Sequence, residues 1–135
     1  MPLLSCSVFL VEDDALIRMM VAEMVGELGH TVCAEAGHLN VAIALARSAL
    51  FDLAIMDVNL AGEIVTPAAD VVASRGLPII FATGYDASAL PERLRDRPML
   101  RKPFLMEAVE DVIKRAVRQP GSSVLSRNEH TPDLG

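Results

Sequence analysis

The sequence predicts an α/β domain: a five-stranded parallel sheet, doubly wound by helices on both faces. Three observations carry that expectation. Short runs such as Val8-Phe9-Leu10-Val11 and Leu53-Ala54-Ile55-Met56 are continuously apolar, as in strands covered on both sides. These runs alternate with stretches of helical period, which implies right-handed crossovers between parallel neighbours. Finally, 135 residues, of which 52% are hydrophobic, suit one domain with a sizeable core and leave little room for a second.

Each element has its own justification. Residues 7–11 form the first strand, and Asp14 can cap the first helix. Ala15, Leu16, Met19, Met20, Val21, Met24, Val25 and Leu28 recur at helical spacing, and Gly29 can stop that helix. Residues 30–35 read as a short second strand. Asn40 opens an alanine-rich helix to about Leu50. Residues 51–56 form the third strand, with a turn at Val58-Asn59-Leu60-Ala61-Gly62. Pro67 starts a third helix that ends at Gly76, since proline suits a first turn. Residues 77–82 are the fourth strand. A weak helix is expected over residues 87–95, with Pro91 inside it. Met99-Leu100 makes the fifth strand. Residues 105–117 form the last amphipathic helix, its inner face carrying Leu105, Ala108, Val109, Val112, Ile113, Ala116 and Val117. Residues 1–118 are therefore expected as one domain and residues 119–135 as a mobile polar tail, too short for an output domain.

Composition narrows the partners. Twelve basic and eighteen acidic residues give a net charge of −6, against a nucleic acid or an anionic membrane as main partner. No apolar run approaches the roughly 18 residues of a membrane span. No signal-peptide layout opens the chain, so a cytoplasmic location is expected. Cys6 and Cys33 are expected as reduced, buried thiols, and the seven methionines mostly as core filler.

Chemistry points to the strand ends. In an open parallel sheet, sites form beyond the carboxyl ends of the strands. Glu12 and Asp13 come after the first strand and Asp57 ends the third. Three crowded carboxylates repel unless a cation joins them. Magnesium suits one or two carboxylates, a backbone carbonyl and several waters. Thr83 comes after the fourth strand and Lys102 after the fifth, on the same edge. A hydroxyl and an ammonium facing a metal-bound aspartate suit phosphoryl transfer, with the aspartate as nucleophile forming an acyl phosphate. Singly, these residues read as ordinary loop acids, a strand-end hydroxyl and a solvated lysine; the set is what points to chemistry.

Val11-Glu12-Asp13-Asp14, Met56-Asp57, Ala82-Thr83-Gly84 and Lys102-Pro103-Phe104 together resemble the receiver domain of bacterial two-component response regulators, over residues 7–117. The resemblance implies a flavodoxin-like fold with strand order 2-1-3-4-5. It implies that Asp57 accepts a phosphoryl group from a histidine kinase or a histidine phosphotransfer protein. Glu12, Asp13 and Asp57, with the Asn59 backbone carbonyl, would hold Mg2+. Thr83 and Lys102 would contact the phosphoryl oxygens. The Lys102-Pro103 bond is often cis in that family. The run Phe81-Ala82-Thr83-Gly84-Tyr85 is similar to the signature of an alphaproteobacterial subgroup of single-domain receivers. One departure stands out: Met99 occupies the place where many receivers carry a switch aromatic, and Tyr85 is the candidate to take over that signalling.

The function expected is that of a stand-alone phosphoacceptor rather than an enzyme releasing a metabolite. It would act through a downstream protein partner or as a phosphate sink. A phosphorylation-independent binding module is the alternative. An aspartyl-phosphate phosphatase fits less well, because Asn59 in Asp57-Val58-Asn59 cannot donate a proton as a carboxylic acid does. Arg93, Arg95, Arg97 and Arg101 read as a solvated charge run or a docking patch, and His30, His38 and His130 as scattered surface or turn residues.

Overall fold

A computed structural model of the chain describes residues 5–84 and 87–118. In chain order its elements are β1 (Ser7–Val11), α1 (Ala15–Glu27), β2 (Thr31–Ala36), α2 (Leu39–Ser48), β3 (Leu53–Asp57), a small hairpin of β4 (Asn59–Leu60) and β5 (Glu63–Ile64), α3 (Thr66–Ser74), β6 (Ile79–Thr83), one 3-10 turn (Glu92–Leu94), β7 (Met99–Arg101) and α4 (Met106–Arg118). The main sheet runs β2-β1-β3-β6-β7 with every neighbour parallel. Counting only its five strands, this is the expected order 2-1-3-4-5.

Strand periodicity splits the core in two. Phe9, Val11, Ala54, Met56, Ile79 and Phe81 face α2 and α3. There Ala42, Ala46, Ala68 and Ala69 are buried, so small side chains let both helices approach the sheet closely. Val8, Leu10, Leu53, Ile55, Ile80 and Ala82 face the other way, against Val21 and Val25 of α1 and Val109, Val112, Ile113 and Ala116 of α4. The larger of these aliphatic side chains each contribute about 1.5–3 kcal/mol by burial. Asp14 caps α1 as expected, its Oδ1 accepting the N–H groups of Leu16 (2.9 Å) and Ile17 (3.2 Å). At the other end, Gly29 adopts φ +94°, the left-handed conformation that favours glycine just past a helix.

Several expectations change. Residues 87–95 form no α-helix: Pro91 is extended, and only the 3-10 turn comes after it. Leu90 and Leu94 still anchor that loop in the core. The 58–62 turn is part of the β4–β5 hairpin. Leu105 and Ala108 are exposed, not inward. Leu105 precedes α4, and its carbonyl accepts the Val109 N–H at 3.0 Å. Cys6 is buried but Cys33 is exposed on the edge strand β2; neither forms a disulfide. Met56 is core, whereas Met19 and Met20, with Leu16, lie on the outer face of α1. Tyr85, His130 and the 119–135 tail lie outside the described residues. Among the described residues, no helix is long and apolar enough to cross a membrane.

Candidate functional site

The sheet order makes the site. β1 and β3 are neighbours, with Val11 opposite Met56, so the residues leaving both strands meet. Glu12 and Asp57 are 3% and 7% exposed, the two buried charged side chains among the described residues. Between them lies Lys102, whose Nζ donates to Glu12 Oε1 at 3.0 Å and to Asp57 Oδ2 at 2.8 Å. The Lys102 N–H donates to the Thr83 carbonyl at 2.9 Å, and the Lys102-Pro103 peptide is cis. Backbone donors hold further carboxylate oxygens. Glu12 Oε2 accepts the Asp14 N–H at 3.0 Å, Asp57 Oδ1 the Asn59 N–H at 3.3 Å, and Asp13 Oδ2 the Ala61 N–H at 3.1 Å.

The carboxylate oxygens of Glu12, Asp13 and Asp57 lie within 4.8 Å of one another. Burial pushes the Glu12 carboxyl above its ordinary value, and Asp57 adds to that; the Asp14 N–H and Lys102 act in the opposite sense and do not cancel it. For Lys102, burial alone would lower the pKa, but hydrogen bonds to Asp57 and Glu12 outweigh it and hold the ammonium charged. Oxygen donors clustered at one exposed and two buried carboxylates fit a hard cation such as magnesium, with the open side at Asp13 left to water. A cavity of about 410 Å³ adjoins the cluster, lined by Asp57, Asn59, Ile64, Thr83, Gly84 and Lys102 among others.

The structure thus gathers Glu12, Asp13, Asp57, Asn59, Thr83 and Lys102 on one edge. Met99 does not join them: it is half-buried against the core on the Phe81 side, opposite Phe81 in register. Within the arginine run, Arg93 makes a two-bond pair with Asp70 (3.2 and 2.7 Å), Arg95 donates to the Leu90 carbonyl, and Arg97 to the Leu77 carbonyl. That favours a structural role for these three. Sequence reading missed Arg18, whose Nη1 donates to the Glu12 carbonyl at 2.6 Å. The signal was present: Arg18 is the one basic residue of α1, one turn past its cap. It also missed Ala61, which acts through its backbone and leaves no side-chain signal.

No family model matches the sequence. Over 114 residues, the chain is 39% identical to the transcriptional regulatory protein PdtaR of Mycobacterium tuberculosis. That match covers 82% of this chain and 56% of PdtaR, so the chain spans little more than half the length of that relative. The solution structure of SdrG from Sphingomonas melonis Fr1 is similar with a TM-score of 0.75 and 35% identity, over 86% of this chain and 99% of SdrG. The solution structure of the response regulator REC domain of PhyR from Erythrobacter litoralis gives 0.73 and 28%, over 86% of this chain and 95% of that one.

Proposed function

The chain belongs to the response-regulator receiver family, and from that premise we propose that it is a phosphorylatable switch with Asp57 as phosphoacceptor. The observation that carries this reading is the Lys102 ammonium bridging Asp57 and Glu12 beside Asp13 and Thr83. A buried carboxylate with a cation, a hydroxyl residue and further acids on one edge suits attack on a phosphoryl group.

In the proposed step, an Asp57 carboxylate oxygen attacks the phosphorus of a phosphohistidine on a kinase or phosphotransfer protein. The phosphorus–nitrogen bond breaks and an acyl phosphate forms. Lys102 neutralises charge on the phosphoryl oxygens, and the Thr83 hydroxyl donates to one of them. Glu12, Asp13, Asp57 and the Asn59 carbonyl would hold Mg2+, which supplies neutralisation of the phosphoryl oxygens when bound. The chain then acts by a changed surface toward another protein, or as a phosphate sink in the cytoplasm, rather than as a metabolite-releasing enzyme. The run Phe81-Ala82-Thr83-Gly84-Tyr85 supports the narrower placement among single-domain alphaproteobacterial receivers, with Tyr85 in the switch role.

The test is intact mass after incubation with acetyl phosphate, with and without magnesium, for wild type and Asp57→Asn. One phosphate adduct that needs both magnesium and Asp57 supports the reading. No adduct, from acetyl phosphate or from a panel of histidine kinases, overturns it in favour of a phosphate-independent binding module.

A further inference from the structure

Arg18 lies outside the acidic cluster and yet is built into its wall. Its Nη1 donates to the Glu12 carbonyl at 2.6 Å, and its Nε pairs with Glu35 Oε1 at 3.2 Å. The Arg18 side chain is only 24% exposed. It lies against Gly37, where a Cβ would come within 2.9 Å of Nη1, so glycine there leaves the space that the guanidinium fills. The Glu12 N–H donates to the Ala36 carbonyl at 3.0 Å. Both backbone polar groups of Glu12 are therefore fixed: one by the end of β2, the other by Arg18, which Glu35 of the same strand holds in place.

We propose that Arg18, held by Glu35 and Gly37, is a positioning residue that fixes the Glu12–Asp13 backbone so that its carboxylates converge with Asp57 on a divalent cation. The inference rests on the metal-binding reading of that cluster. Like charges held within 4.8 Å drift apart unless the backbone is held, because separation relieves their repulsion. Lys102 restrains Glu12 and Asp57 from one side, through their side chains. Arg18 restrains Glu12 from the other, through its main chain. Asp13 is next in the chain and inherits its direction from that peptide. Arginine suits the task because its planar fork reaches two acceptors at once.

Charge and position can be separated by experiment. Removing Arg18 alone leaves Glu35 uncompensated, and that extra negative charge would favour a cation. The double variant Arg18→Met/Glu35→Gln changes no net charge, so a loss of affinity in it reports geometry. Magnesium is titrated into the full chain and followed by the amide signals of Asp13 and Asp57. The double variant should bind about tenfold more weakly, in the range seen when outer partners of metal ligands are removed. Gly37→Ala, which crowds the guanidinium without deleting it, should weaken binding in the same direction by less. Val25→Ala, a core truncation in the same helix, should lower the melting temperature and leave magnesium affinity unchanged.

Unchanged affinity in the double variant overturns the proposal, as does an equal loss in Val25→Ala, which would make the effect one of stability alone. A wild type that binds no magnesium overturns the metal-binding reading, and the positioning role with it; the wild-type titration tells the two failures apart.

Discussion

Asp13→Asn takes one charge out of a cluster that sets three carboxylates against one ammonium. At the limiting separation of 4.8 Å, a like-charge pair costs about 1 kcal/mol under water-like screening. At an effective dielectric of about 20 the figure is about 3.5 kcal/mol. Asp13 is exposed, so the smaller figure applies. The substitution removes two such repulsions, to Glu12 and Asp57, and one attraction, to Lys102, which offsets roughly one of them. The Ala61 N–H keeps an acceptor, since an amide oxygen replaces the carboxylate oxygen. The net result is a stabilisation of about 1 kcal/mol without magnesium, or about 4 °C in melting temperature for a domain of this size. Magnesium at ten times its dissociation constant should raise wild-type stability by about 1.4 kcal/mol, and the variant by nearly nothing. Thermal melts with and without magnesium read both effects. A variant that melts below wild type in the absence of magnesium, or gains as much from it, would refute the reasoning.

Lys102→Met leaves Glu12 and Asp57 buried without their shared cation and should cost about 2–3 kcal/mol at neutral pH, discounted because the lysine is partly exposed. Protonation of Glu12 should relieve the loss, measured by urea unfolding at two pH values. Burial raises the folded-state pKa of Glu12, so its contribution is complete below 4.5 and lost as pH rises through the raised value. A loss equal at both pH values would count against this. His30 behaves in the opposite sense: its Nδ1 accepts the Cys6 N–H at 3.0 Å, and burial lowers its pKa. That stability is present above 6.5 and lost as pH falls through the folded-state value, and His30→Gln should lack this acid-side component in urea titrations across pH. Ala61 holds φ +52° at the hairpin, so Ala61→Gly should stabilise by about 0.5 kcal/mol, read as a small rise in melting temperature.

The sheet was legible because a parallel strand buried on both faces leaves an unbroken apolar run, and β1, β3 and β6 all do. Helix α4 was legible because Val109, Val112, Ile113 and Ala116 keep the helical period. Residues 87–95 misled because buried Leu90 and Leu94 mimic that period, while Pro91 between them prevents a helix. In α1, apolar residues recur on the covered and the outer face alike. Period alone could not tell buried Val21 and Val25 from exposed Leu16, Met19 and Met20. Cys33 was misplaced for a similar reason: β2 is an edge strand, and its alternation exposes one face.

The acids of the candidate site could be read because Glu12, with Asp13 behind it, and Asp57 break apolar runs at strand ends, where a charge has no packing reason to be. The contacts that hold them there could not be read in the same way. The Arg18 guanidinium reaches the Glu12 carbonyl across a helical turn and Glu35 across a strand, and both contacts exist only after the chain has folded. The Ala61 N–H reaches Asp13 from a hairpin that pattern alone presents as a simple turn. Carboxylates that repel one another need such restraints wherever they are kept together without a bound cation. The sequence signature of a site of this kind is therefore its charges, and the supporting contacts must be sought among the main-chain carbonyls and amides around them.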